Sequence, residues 1–317
     1  MSDVNVLVYR DPSIAAYGFG DGHPFGPDRH DVFHAELAAT GTAEQVRFEA
    51  AGSASRDELL AFHTADYLDL VARRCADGRG FLDGGDTPAM VGLDDAAAAV
   101  VGAAIDAMER VIDGSASRAF VPIAGLHHAG RDHAAGFCVY NDCGVVIELL
   151  RRRHGLRRVA YVDIDAHHGD GVFYAFEDDA DLLFADIHED GRMLYPGTGH
   201  AHETGLGPAE GTKLNLPLPP GADDDAFLAA WNRVESYLEA AAPEFIVLQC
   251  GADSVAGDPI THLAFTPDAH AHAAARLCAI ADRCCDGRII GVGGGGYNRD
   301  NLARAWTAVV RAFVAAG

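Results

Sequence analysis

Short runs rich in β-branched and aromatic residues alternate along the chain with longer segments of helical periodicity, the pattern of parallel strands joined by crossover helices. These runs predict strands over residues 4–9, 119–124, 158–163, 182–187, 213–216, 245–250 and 288–292. Helices are expected over 94–113, 141–153, 223–241, 267–285 and 298–315. The clearest of them, 94–113, is Ala-rich, opens on acidic residues and is closed by Gly114 in the C-cap position. No internal repeat and no linker interrupts the pattern, so residues 1–317 read as one domain of the α/β class.

The residues able to do chemistry sit just beyond the C-terminal ends of the predicted strands. His127 and His128 follow 119–124, Asp165 and His167 follow 158–163, His188 follows 182–187, Asp253 follows 245–250, and Tyr297 follows 288–292. In an open parallel sheet such ends converge on one crevice. Residues from five strands are therefore expected to meet.

The densest stretch is Asp163-Ile164-Asp165-Ala166-His167-His168-Gly169-Asp170, with three carboxylates and two imidazoles beyond the apolar positions 159–162. Burying such groups is costly unless each is paired or bound to a cation. Asp165 and His167, two apart as the chain leaves a strand, can point to one side, and Asp253 can approach from a neighbouring strand end. Two carboxylates and an imidazole leave the open coordination that a catalytic metal needs. Either aspartate alone reads equally well as a helix cap, but with His167 added the metal reading is preferred.

The tandem His127-His128, alone, reads as readily as two ordinary loop histidines. Asp163 and Asp170, which the metal set does not need, can each orient one imidazole and tune proton transfer. The run Gly293-Gly294-Gly295-Gly296-Tyr297 lacks the features of a phosphate-binding loop, and its glycines read as a flexible turn. Tyr297 at its end is better read as a phenol able to donate to a developing oxyanion. Gly136-Phe137-Cys138 offers an apolar wall and Tyr195 a second aromatic, both also readable as ordinary packing. Cys138 is taken as packing rather than as a nucleophile.

Composition narrows the partners. Lys+Arg 24 against Asp+Glu 47 leaves a formal charge of −23, which argues against binding a phosphate backbone. With 49% hydrophobic residues and 36 glycines the chain can bury a large core. Seven scattered cysteines do not suggest a disulfide framework. Met1-Ser2-Asp3-Val4 has no basic start, and no stretch approaches the roughly 18 apolar residues of a spanning helix. A cytoplasmic protein with no membrane or nucleic-acid partner is expected. The oligomeric state, a homo-oligomer included, is left open.

Taken together, His127-His128-Ala129, Gly136-Phe137-Cys138, Asn141-Asp142, the run Asp163 to Gly171, Pro196-Gly197-Thr198-Gly199, Gly251-Ala252-Asp253 and Gly293 to Tyr297 resemble the histone deacetylase family, in its order, from about residue 22 onward. The resemblance implies a three-layer arginase-deacetylase fold, with an eight-stranded, mainly parallel sheet between helices. It also implies zinc-dependent hydrolysis of an acylated amine, such as acetyl-lysine, by a metal-activated water. Carried over by motif, Asp165, His167 and Asp253 would hold zinc, or ferrous iron in cells. His128 would act as base and then acid, His127 as its electrostatic partner and Tyr297 as oxyanion donor. Gly136, Phe137, Tyr195 and Gly295 would belong to the substrate-binding wall, and Arg29 would be the arginine of an internal channel. Asp86, in Gly84-Gly85-Asp86-Thr87, resembles the rim aspartate that hydrogen-bonds the substrate backbone, and reads equally as a turn residue. A structural potassium ion is implied near Asp163, Asp165, His167, Asp186 and Ile187. Asp186 stands where many relatives have serine, so that ion would be held more tightly or differently.

Ile260 stands where polyamine-specific relatives place a glutamate, and no long insertion lies between His63 and Asp86. Both observations disfavour the main enzymatic alternative, an acetylpolyamine amidohydrolase. A non-enzyme alternative is a catalytically silent, metal-bound acyl-lysine binding module. Against it, Tyr297, His128, Asp165, His167 and Asp253 are all present. A ureohydrolase of the same fold would need further carboxylates for two manganese ions, and no second set is found.

Overall fold

The computed structural model describes residues 5–20, 22–50 and 52–317. Among them eight strands form one sheet: β1 Val6–Tyr9, β2 Arg47–Glu49, β3 Arg118–Val121, β4 Val159–Asp163, β5 Leu182–Glu189, β6 Lys213–Leu218, β7 Phe245–Gln249 and β8 Ile289–Val292. Their spatial order is β2-β1-β3-β8-β7-β4-β5-β6, and every pairing is parallel. The inner strands β3, β8, β7 and β4 are buried at every position. Their near-continuous apolar sequence is what a sheet covered on both faces requires.

Helices form the flanking layers. Leu93–Ile112 packs on Asp142–His154, while Arg299–Ala315 packs on Pro267–Cys284 and Asp28–Ala39. Helix starts are set by side-chain caps: Asn141, Asp223, Thr266 and Asn298 each accept backbone N–H groups of the following turn. Two of these caps, Asn141 and Asn298, end the loops that carry His127-His128 and Tyr297. Local sequence thus stops those loops at defined points.

Several boundaries differ from the sequence expectation. Val4, expected to open the first strand, lies outside the described residues. β3 stops at Val121 rather than 124, because Ile123 adopts a φ of 71°, which no strand can continue. β5 runs on to Glu189, so His188 lies inside the strand and not beyond it. The edge strand β2 and the helices Asp28–Ala39 and Ala65–Asp77 were not expected. Only three residues long and partly exposed, β2 has too little apolar character to announce itself. The long helix is capped by Asp113, with Gly114 one residue further on in the left-handed region at φ 78°. No helix among the described residues is long and apolar enough to cross a membrane.

The sheet order places the chemistry. β3, β8, β7 and β4 are consecutive neighbours at its centre. The segments leaving their C-terminal ends carry, in that order, the histidine pair, Tyr297, Asp253, and Asp165 with His167.

Candidate active site

Asp165, His167 and Asp253 are buried and each points one donor atom inward, the three atoms lying within 4.8 Å of one another. His167 Nδ1 is 3.0 Å from Asp165 Oδ1 and 3.1 Å from Asp253 Oδ2. Neighbouring backbone and side chains hold the carboxylates: Gly295 N (2.8 Å) and Gln249 Nε2 (3.0 Å) donate to Asp165 Oδ2, and Ala166 N (2.8 Å) donates to Asp253 Oδ1. Burial resists charge on His167, yet hydrogen bonds to the two carboxylates keep its pKa well above the ordinary imidazole value. Burial, with Asp165 beside it, pushes Asp253 up to about 7. Two buried carboxylates competing for one imidazole proton form a site that attracts a cation, and the mixed oxygen and nitrogen donors suit a divalent metal with positions left open.

The glycine loop serves this cluster by close approach, not by flexibility. A Cβ on Gly295 would meet Asp253 Oδ2 at 2.0 Å and Asp165 Oδ2 at 2.9 Å. Glycine alone lets the backbone N–H reach the carboxylate.

Beside the cluster, His127 Nδ1 lies 2.8 Å from Asp163 Oδ2 and His128 Nδ1 lies 2.6 Å from Asp170 Oδ1. The two Nε2 atoms are 3.1 Å apart. The loop holding this pair is pinned from below: Asn141 Nδ2 donates to the carbonyls of His127 and Ala129, and the buried Asp142 accepts from Gly125 N and Leu126 N. Burial opposes charge on His127, but Asp163 and Asp165 outweigh it and raise its pKa to about 10. Burial and the adjacent His127 charge press His128 down to about 4. The pair is thus split into one charged and one neutral imidazole.

A cavity of about 260 Å³ leads from the surface to these groups, lined by His128, His167 and Tyr297 at its base and by Phe137, Tyr195, Leu194, Ile260 and Asp86 higher up. Tyr195 stands edge-on to His128 with ring centroids 5.1 Å apart, and Phe137 edge-on to Tyr297 at 5.9 Å. Gly136 and Phe137 both take positive φ, 53° and 68°. Phe137 is held there by Tyr17, whose hydroxyl donates to its carbonyl (2.6 Å), and by Thr87, whose hydroxyl accepts its N–H (3.1 Å). A Cβ on Gly136 would strike the His128 ring at 2.4 Å. Asp86 belongs to a tight turn in which Asp83 Oδ1 accepts the N–H groups of Gly85, Asp86 and Thr87.

The family profile described as "Histone deacetylase domain" matches residues 23–313. The chain belongs to the histone deacetylase family. Acetoin utilization protein AcuC of Bacillus subtilis (strain 168) is 36% identical over 96% of this chain and 81% of its own length. Histone deacetylase 8 of Danio rerio is 35% identical, over 89% of this chain and 75% of its own. A probable deacetylase of Archaeoglobus fulgidus is 37% identical over 77% of this chain and 67% of its own. The solved structure entitled "Crystal Structure of HDA15 HD domain" superposes with a TM-score of 0.91 at 28% identity, covering 98% of this chain and 90% of that one. The sheet and its helices are therefore the three-layer fold of the histone deacetylases.

Two other residues singled out in the sequence sit apart from the cavity of this histone deacetylase family member. Arg29 is buried behind the glycine loop, where it donates to Gly296 O (2.9 Å) and Gly294 O (2.6 Å) and lies over the Phe25 ring at 3.9 Å. His188 does not join the cluster: it binds Asp186 Oδ1 (2.7 Å) and Gly199 O (2.9 Å), so four strands rather than five supply the site. Asp186, buried with Ile187 in β5, spends its other oxygen on Gly169 N (2.9 Å). Both carboxylate oxygens of Asp186 are already engaged with protein donors.

Sequence reasoning missed three supporting residues. Gln249 braces Asp165, Asp258 Oδ2 accepts the N–H of Tyr297 (2.8 Å), and His23 links the rim by Nε2 to Asp86 O (3.2 Å) while its ring stands 4.6 Å from that of Phe137. Gln249 carried a readable signal, a lone amide ending an apolar strand. Asp258 and His23 carried none, since both act only through contacts across distant loops.

Proposed function

We propose that this chain is a zinc-dependent hydrolase that removes an acetyl or related acyl group from an acylated amine such as acetyl-lysine. The observation that carries this reading is the meeting, at the foot of one narrow cavity, of the Asp165-His167-Asp253 donor set with the split histidine pair and the Tyr297 phenol. Zinc held by Asp165, His167 and Asp253 would supply a Lewis acid and lower the pKa of a water molecule; ferrous iron suits the same donors. His128, neutral and oriented by Asp170, accepts the proton of the attacking water and passes it to the leaving amine. His127, held charged by Asp163, supports the negative charge that gathers on the acyl oxygen. Tyr297 donates a hydrogen bond to that oxygen.

Phe137 and Tyr195 face the acyl-bearing chain, Gly136 lets the wall approach His128, and Asp86 at the mouth accepts from the substrate backbone. Ile260 lines the cavity without bringing a charge to it, which supports a lysine-like carrier over a polyamine. The free state of all seven cysteines supports a cytoplasmic setting, and the whole chain is read as one deacetylase domain. A panel of acetyl-lysine peptides, acetylated amino acids, acetylputrescine and longer acyl chains tests the assignment. Turnover confined to acetylputrescine would reverse the substrate choice, and metal-loaded protein that turns over none of them would favour the silent binding module.

A further inference from the structure

The run Gly293 to Gly296 leads directly into Tyr297, and Gly294 and Gly296 take positive φ of 74° and 126°. Such a run has little backbone preference of its own, so it must be fixed from outside if the Tyr297 phenol is to keep one position. Asp258 is placed to do this. From the segment that follows β7, its Oδ2 accepts the N–H groups of Tyr297 (2.8 Å) and Asn298 (3.3 Å), while its Oδ1 accepts that of Ile260 (3.1 Å). The residue is only 9% exposed, and bonds to an ionised acceptor are about twice as strong as neutral ones. Return bonds run the other way: Asn298 Nδ2 donates to Gly257 O (3.2 Å) and Asn301 Nδ2 to Ala256 O (2.9 Å).

We infer that Asp258 is a positioning residue for the reaction, one that fixes the Tyr297 hydroxyl relative to the metal-binding set by stitching the glycine loop to the segment after β7. Asp253, one member of that set, lies on the same short segment. The carboxylate of Asp258 therefore refers the oxyanion donor to the donor atoms it must work beside. This inference rests on the reading of Tyr297 as oxyanion donor. Asp258 itself touches neither substrate nor metal in this account, and it acts through the Tyr297 backbone.

The test is a double-mutant cycle. Turnover of an acetyl-lysine peptide at saturation is measured for Asp258→Ala and Asp258→Asn, each in the parent and in Tyr297→Phe, with metal content and melting recorded on every preparation. A misplacement of about 1 Å can cost about 100-fold, so Asp258→Ala should lower kcat about tenfold or more. Asp258→Asn keeps one acceptor oxygen and should recover part of that loss. In Tyr297→Phe no hydroxyl is left to misplace, and either change should cost less than about threefold. A merely structural role would lower kcat equally in both backgrounds. That result overturns the proposal, as does an unchanged kcat in Asp258→Ala, which would mean that packing of the Tyr297 ring on Phe25 and Phe137, at 6.4 and 5.9 Å between centroids, is enough. If Tyr297→Phe itself keeps the parent rate, the oxyanion reading fails and the role of Asp258 with it. Should Asp258→Ala not fold or not load metal, Asp258→Asn decides by the same comparison, a loss of about threefold or more being required in the parent and none in Tyr297→Phe.

Discussion

His127 and His128 are adjacent in the chain, yet they face each other through their Nε2 atoms at 3.1 Å while their Nδ1 atoms bind different carboxylates. Only one of two imidazoles so placed can carry a proton toward the other without repulsion. Asp163, buried with its Oδ2 at 2.8 Å, makes His127 that one.

The charge on His127 holds the His128 pKa down, so weakening the first should release the second. In Asp163→Asn, His127 loses its positive charge, and His128 should then protonate at higher pH. As a base His128 works only when neutral, so the acid limb of the kcat/KM profile should move upward. A rate profile from pH 4 to 9 checks this, and an unmoved limb would show that the two imidazoles are not coupled.

Tyr297 is held at the foot of the cavity by Asp258 through its backbone N–H, so removing its hydroxyl should leave its ring in place. Tyr297→Phe should keep the metal but lose about 100-fold or more in kcat, the usual worth of one oxyanion donor. Single-turnover rates and elemental analysis on the same preparation separate the two effects. Undiminished turnover would remove Tyr297 from the mechanism.

Gly295 approaches Asp253 and Asp165 more closely than any side chain permits. Gly295→Ala should displace those carboxylates and weaken metal affinity about tenfold or more, the scale seen when a ligand's supports are disturbed. Asp165→Ala should abolish metal binding and activity together. Competition against a chromogenic chelator measures both, and full occupancy in Asp165→Ala would contradict the ligand assignment.

Burial and the neighbouring Asp83 push Asp86 up to about 6. Above that pH the carboxylate is charged and, in the proposed role, would accept strongly from a substrate N–H; below it, the group is neutral and that interaction would weaken. KM for an acetyl-lysine peptide should therefore rise about fivefold as pH falls from 7 to 5. Asp86→Asn should flatten that dependence.

The fold was legible because a doubly covered parallel sheet writes its inner strands as apolar runs, as at Phe245–Gln249 and Val159–Asp163. Chemistry was legible where unlike groups crowd together, as between Asp163 and Asp170. Local pattern misled where the backbone departs from its region's habit. Ile123 ends β3 by turning to positive φ, and His188 lies within a strand that continues two residues further than expected. The glycines before Tyr297 read as a flexible turn until the carboxylates beneath Gly295 were in view.

The amino-acid sequence by itself determined the α/β class, the family and the groups available at the strand ends, because periodicity and dense local motifs are short-range properties of the chain. Only the tertiary structure decided that β3, β8, β7 and β4 lie side by side, and that Asp163 faces His127 while Asp170 faces His128. Those are pairings between residues far apart in the chain, and they follow from sheet order and packing rather than from any local preference.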